Sequence, residues 1–149
     1  MELKATDLRI GNWVVLVKEN IYENKDYQLD AYDIYKASEF DDITECLLPI
    51  PLTEEWLIKF GFEKINERTF RIIDKSKDEK LGYKDERNWK ELDIIYWEYI
   101  AMGSYAKGYK FKWNDEKYVN YQKEKTIDYV HQLQNLYFAL TGEELTIKE

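Results

Sequence analysis

Cysteine, histidine and proline are almost missing from this chain of 149 residues, which holds one, one and two of them. A lone Cys46 excludes a disulfide within the chain and any cysteine-built metal cluster, and it fits a reducing compartment. A lone His131 cannot complete a zinc site. Cys46 and His131 could in principle pair as nucleophile and base. However, Cys46 lies between Glu45 and Leu47 in an expected strand, as a structural thiol would, and His131 lies close to the core stripe of an expected helix. Glycine is scattered at Gly11, Gly61, Gly82, Gly103, Gly108 and Gly142, so neither nucleotide-binding glycine fingerprint fits. No apolar run reaches the roughly 18 residues of a membrane span. Met1-Glu2-Leu3-Lys4 opens without an apolar segment, so no signal peptide is expected and the reading is cytoplasmic. Positive charge is outnumbered. The net charge of −8 discourages non-specific nucleic-acid binding, which draws on neutralised phosphates, and favours encounter with a basic partner.

What is present is bulk and charge. The 35% of charged residues would fit a disordered chain, but the 16% of aromatic residues would not, because those groups repay the entropy of ordering the chain. The length is that of one domain, so a single domain over 1–149 is expected. Thirty carboxylates make chance acidic pairs such as Asp41 with Asp42 unspecific as catalytic or magnesium sites. No cofactor or metal is expected, and the chain is not expected to be an enzyme.

The pattern predicts a helical turn over 4–12, then a strand from Trp13 to Val17. A polar turn follows from Lys18 to Asp26, and imperfect alternation from Tyr27 to Tyr35 predicts a second strand. Ile43 to Ile50 reads as a third, ended by Pro49. Thr53 can cap a helix over 54–60 with Glu54 and Glu55 at its positive end. Trp56, Leu57 and Phe60 form its stripe, and Gly61 supplies a left-handed ending that folds Phe62 onto Leu57. Phe62–Ile65 and Thr69–Ile73 flank Asn66-Glu67-Arg68 as a hairpin. Residues 74–91 read as a long exposed polar loop, a length at which loops are often functional. Leu92–Ile100 is apolar on both faces and is expected to be a central buried strand. Tyr109, Phe111 and Trp113 alternate with Lys110 and Lys112, and Tyr118–Tyr121 returns as a hairpin partner. Asp128 is the expected cap of a final helix to Thr141, stopped by Gly142, and Leu145–Lys148 reads as a short last strand. The fold class is α+β: an antiparallel sheet with a short middle helix and a longer C-terminal helix packed on it.

Two surfaces emerge. The polar loop offers Asp78, Glu79, Asp85, Glu86 and Arg87 to a partner. The Lys107–Trp113 strand, with Tyr105 beside it, offers lysines and aromatic rings to single-stranded nucleic acid, although one wet and one buried face is also what a core strand shows.

Three segments carry a resemblance. Leu8-Arg9-Ile10-Gly11-Asn12-Trp13-Val14, Ile50-Pro51-Leu52-Thr53-Glu54-Glu55-Trp56-Leu57 with Phe60-Gly61-Phe62, and Tyr129-Val130-His131-Gln132-Leu133-Gln134-Asn135-Leu136-Tyr137-Phe138-Ala139-Leu140-Thr141-Gly142-Glu143-Glu144-Leu145 resemble a family of small proteins. That family occurs in phages, prophages and mobile elements of Bacteroidetes. Asp74 to Lys125 departs from the family pattern. The resemblance implies a phage or prophage accessory protein in the host cytoplasm. It would bind a host protein, such as a nucleic-acid-binding effector with a basic channel, and inhibit a defence system such as a CRISPR nuclease. The alternatives are a nucleic-acid-binding accessory domain and, last, a small enzyme.

Overall fold

The computed structural model describes residues 3–18, 21–39, 46–75, 80–86, 89–115, 118–121 and 126–149. The chain is α+β and divides into two compact units, residues 1–52 with 129–146 and residues 53–128 with 147–149. Its strands form two antiparallel sheets, where the sequence predicts one.

In the first unit a 3-10 turn, Ala5–Asp7, precedes β1 (Trp13–Lys18), β2 (Ile21–Gln28), α1 (Ala31–Glu39) and β3 (Leu47–Pro49). The sheet order is β2-β1-β3. Leu3, Leu8, Val14, Leu29 and Leu47 form its core, with Leu16, Tyr27 and Ile34 against it. Pro49 ends β3, as expected of a residue with no N–H to pair. Two expectations are corrected. The polar stretch 21–28 is a strand, not a turn, because β1 supplies its partner from Trp13 opposite Gln28 to Lys18 opposite Ile21. Of the strand expected from Tyr27 to Tyr35, Tyr27 and Gln28 close β2, and the residues from Ala31 onward are α1 instead. Asp30 and Asp33 close its start reciprocally: the Asp33 N–H donates to Asp30 Oδ1 at 2.9 Å, and the Asp30 N–H donates to Asp33 Oδ2 at 2.8 Å. That exchange is a capping box.

The last helix, the C-terminal helix, spans Val130–Thr141. Its N-cap is Tyr129, not Asp128. The Tyr129 N–H donates to the Gln132 side chain at 3.2 Å, and the first helical N–H, on Val130, donates to the Ile50 carbonyl at 2.9 Å. One of the orphan amides of the first turn is thereby met by the main chain before the short helix. Gly142, at φ 77°, ends the helix by donating to the Phe138 carbonyl. Val130, Leu133 and Tyr137 are buried on it, and so are His131 and Gln134.

In the second unit a short helix, Glu54–Lys59, ends as predicted: the Gly61 and Phe62 amides return to the Ile58 and Leu57 carbonyls at 2.9 and 3.0 Å. The strands β4 (Glu63–Asn66), β5 (Thr69–Asp74), β6 (Lys90–Ala101), β7 (Ser104–Asp115) and β8 (Tyr118–Tyr121) follow in spatial order. β6 is central, as its apolar faces predict. Trp56, Leu57, Phe60, Phe62, Phe70, Leu92, Ile94, Trp113 and Ile127 are this unit's buried apolar side chains. The expected last strand over 145–148 is absent; Lys148 gives a single main-chain bond to Lys59. No helix among the described residues is long and apolar enough to cross a membrane.

Candidate interaction surface

β5 has six residues, whereas β6 and β7 have twelve each. Among the described residues, the mismatch leaves the far end of the long hairpin without a further strand beside it, although Thr126 and Asp128 lie near Gly108. Pairing of β6 with β5 stops at Ile95, and the Tyr96 N–H then reaches the Arg68 carbonyl at 2.7 Å. On the other side β8 covers only Lys112–Asp115, and Ile127 adds one bridge at Tyr109. Among the described residues, 97–108 pair only with each other, in register from Trp97 opposite Gly108 to Ala101 opposite Ser104. They form a two-stranded ribbon, an arrangement marginal on its own.

Pairing parity sets both edges of the ribbon. Tyr96 and Tyr109 bond outward, to Arg68 and Ile127. Alternate residues follow them, so Glu98 and Ile100 on β6, and Tyr105 and Lys107 on β7, turn their main-chain N–H and C=O away from the ladder. These are the edges by which a strand takes on a partner.

The side chains correct the expectation that β6 is buried on both faces throughout. Leu92, Asp93 and Ile94 are buried, but Glu98, Tyr99 and Ile100 are exposed. Ile100 is 75% exposed, with Tyr99 at 58% and Tyr105 at 57%. One face carries Tyr96, Glu98 and Ile100 beside Tyr105, Lys107 and Tyr109. Here the Tyr96 hydroxyl donates to Glu98 at 2.6 Å, and the Tyr96 and Tyr109 rings lie 5.5 Å apart. That bond to a carboxylate pushes the Tyr96 hydroxyl well above its ordinary pKa. The other face sets Trp97 and Tyr99 against the small residues Gly108 and Ala106. A Cβ on Gly108 would lie 3.3 Å from the Trp97 indole nitrogen.

The turn is Met102-Gly103, with φ of 49° and 78°. Two positive φ angles in a two-residue loop suit Asn-Gly, and for methionine the left-handed region costs about 1 kcal/mol. Met102 is fully exposed, so no packing offsets that cost, and strain of this kind points to function. Met102→Asn is expected to raise stability by about 0.5–1 kcal/mol, read in a urea melt. An unchanged or lower midpoint would remove the strain argument.

Asp78, Glu79 and Arg87, like Asp41 and Asp42, lie outside the described residues. Asp85 is half-buried, and exposed Glu86 pairs with Lys84 at 3.1 Å. Lys75 and Lys84 stand 4.4 and 5.0 Å over the Trp89 ring, so the connection between β5 and β6 folds part of its charge onto itself. Lys110 and Lys112 share a face with Asp93, which lies in register between Arg71 and Lys112. Lys110 stands 4.8 Å over Trp97, and Trp113 is buried. Sequence reading missed the ribbon because it treated strand apolarity as burial. The signal was a strand-forming run much longer than β5 can cover. Among the described residues no three His, Cys, Asp or Glu side chains are grouped to hold a metal ion. No family model, curated protein or solved structure matches the chain.

Proposed function

We propose that this chain is a non-enzymatic phage or prophage accessory protein that binds and inhibits a host protein, such as a CRISPR nuclease. Its docking element is the β6–β7 ribbon. The observation that carries this reading is the overhang of residues 97–108 with Tyr99, Ile100, Met102 and Tyr105 exposed on it. Aromatic and large apolar side chains on a protruding element are the usual anchors of protein interfaces. Glu98 and Lys107 are the ribbon's only charged side chains and cancel, while the whole chain carries −8. The ribbon therefore supplies apolar contact, and the remaining charge speeds encounter with a basic partner.

The test is capture from host lysate after nuclease treatment, comparing the wild-type chain with Tyr99→Ser/Ile100→Thr/Tyr105→Ser. Wild type should retain one stoichiometric protein, and the triple variant should retain roughly tenfold less or lower. Asp85→Lys/Glu86→Lys should retain as much as wild type. Recovery of nuclease-sensitive material alone would favour the nucleic-acid reading. Undiminished capture by the triple variant would remove the ribbon from the interface.

A further inference from the structure

We propose that His131 is a proton-sensitive latch: neutral, it lets the C-terminal helix hold the segment before β1, and protonated, it releases that segment. His131 is the second residue of the helix and is 1% exposed. Both ring nitrogens are buried without a hydrogen-bond partner. A neutral imidazole already leaves one donor and one acceptor unmet there. The cation would bury two donors and a full charge, in a first turn where the helix dipole is also positive. Tyr129 stacks on the ring at 5.9 Å. The charged group whose field reaches it is Asp7, on the 3-10 turn; Asp7 favours the cation, but burial outweighs it and holds the imidazole below its ordinary value of 6.5.

The latch acts on a specific contact. One turn further along the helix, Gln134 accepts from the Trp13 N–H and donates to the Gly11 carbonyl, both at 2.9 Å, and Asn135 donates to the Asp7 carbonyl at 2.9 Å. The segment 7–13 is thus held by Gln134 and Asn135, three and four residues along the helix from His131, and a charge buried at His131 would disturb the seating of the helix that carries them. With the folded value below the unfolded one, the latch is at full strength above pH 6.5. It weakens as pH falls from there toward the folded value, by up to about tenfold in the closed-to-open ratio per pH unit.

Because the chain has one histidine, its imidazole C–H gives a single NMR titration. The expected midpoint lies below 6.5. Between pH 7.5 and 5.5 the Trp13 amide should lose protection, by up to about tenfold relative to the free-chain exchange rate, while the Ile94 amide, on the β5 side of β6, keeps its own. In His131→Phe the Trp13 loss should vanish. A midpoint at or above 6.5 would overturn the proposal on the wild-type chain alone, whether or not the variant folds. So would an equal Trp13 loss in His131→Phe, which would assign the effect to carboxylates.

Discussion

Gln134→Ala is expected to lower the unfolding free energy by about 1–3 kcal/mol, because the Trp13 N–H loses its Gln134 acceptor, while the Gly11 carbonyl keeps a donor in the Gln28 side chain at 3.1 Å. Gln134 is 1% exposed. Its side chain meets the Trp13 N–H and the Gly11 carbonyl at once, and its amide also lies 3.5 Å from the Leu145 carbonyl. Alanine abandons all of these and opens a small void. Gln134→Glu separates the two halves of the clamp: a carboxylate keeps the bond from Trp13 but turns an acceptor toward the Gly11 carbonyl. It should therefore be destabilised too, even though the size of the side chain is kept. Urea melts at pH 7.5 read both variants. A loss under 1 kcal/mol for alanine would mean that the clamp is incidental to this unit.

The second large effect lies in the other unit. Arg71→Met is expected to cost about 2–3 kcal/mol, because it strips the buried Asp93 carboxylate of its charge-assisted hydrogen bonds from the partly exposed Arg71. Asp93 is buried, and its two oxygens accept from Arg71 Nε and Nη2 at 2.7 and 3.0 Å. Glu91 adds a 3.3 Å contact on the same guanidinium. The pairing holds Arg71 above even its ordinary high pKa. Adding Asp93→Leu to Arg71→Met should recover most of the loss, because two apolar residues of similar size replace a desolvated pair at little net cost. Failure of the double variant to recover would show that the pair fixes the β5–β6 register and does more than balance a charge.

Local chemistry was the legible part of the sequence. Thr53, Gly61 and Phe62 declared the short helix because each acts within a few residues of itself. Gly142 stopped the C-terminal helix for the same reason. The reading from Tyr27 to Tyr35 failed on competing signals: Asp30 and Asp33 form a capping box three residues apart, yet Tyr27, Leu29 and Ala31 also alternate. The C-terminal helix is capped at Tyr129, one residue after Asp128, and its first amide donates to Ile50, a partner about 80 residues away that no local pattern announces. The candidate surface was illegible for a related reason. Exposure of Ile100 depends on where β5 and β8 stop, which is a property of the whole sheet, and the strand's own residues do not record it. The acidic residues of the 74–91 stretch stand out as a long charged run, whereas the strain at Met102 has no sequence signature beyond a methionine preceding a glycine.

The most direct test of the central claim is photo-crosslinking in host cells with a benzoylphenylalanine placed in turn at position 100 and at position 86. The ribbon account predicts one discrete protein adduct from position 100 and little from position 86. Adduct from position 86 alone would contradict it and return the interface to the polar connection between β5 and β6.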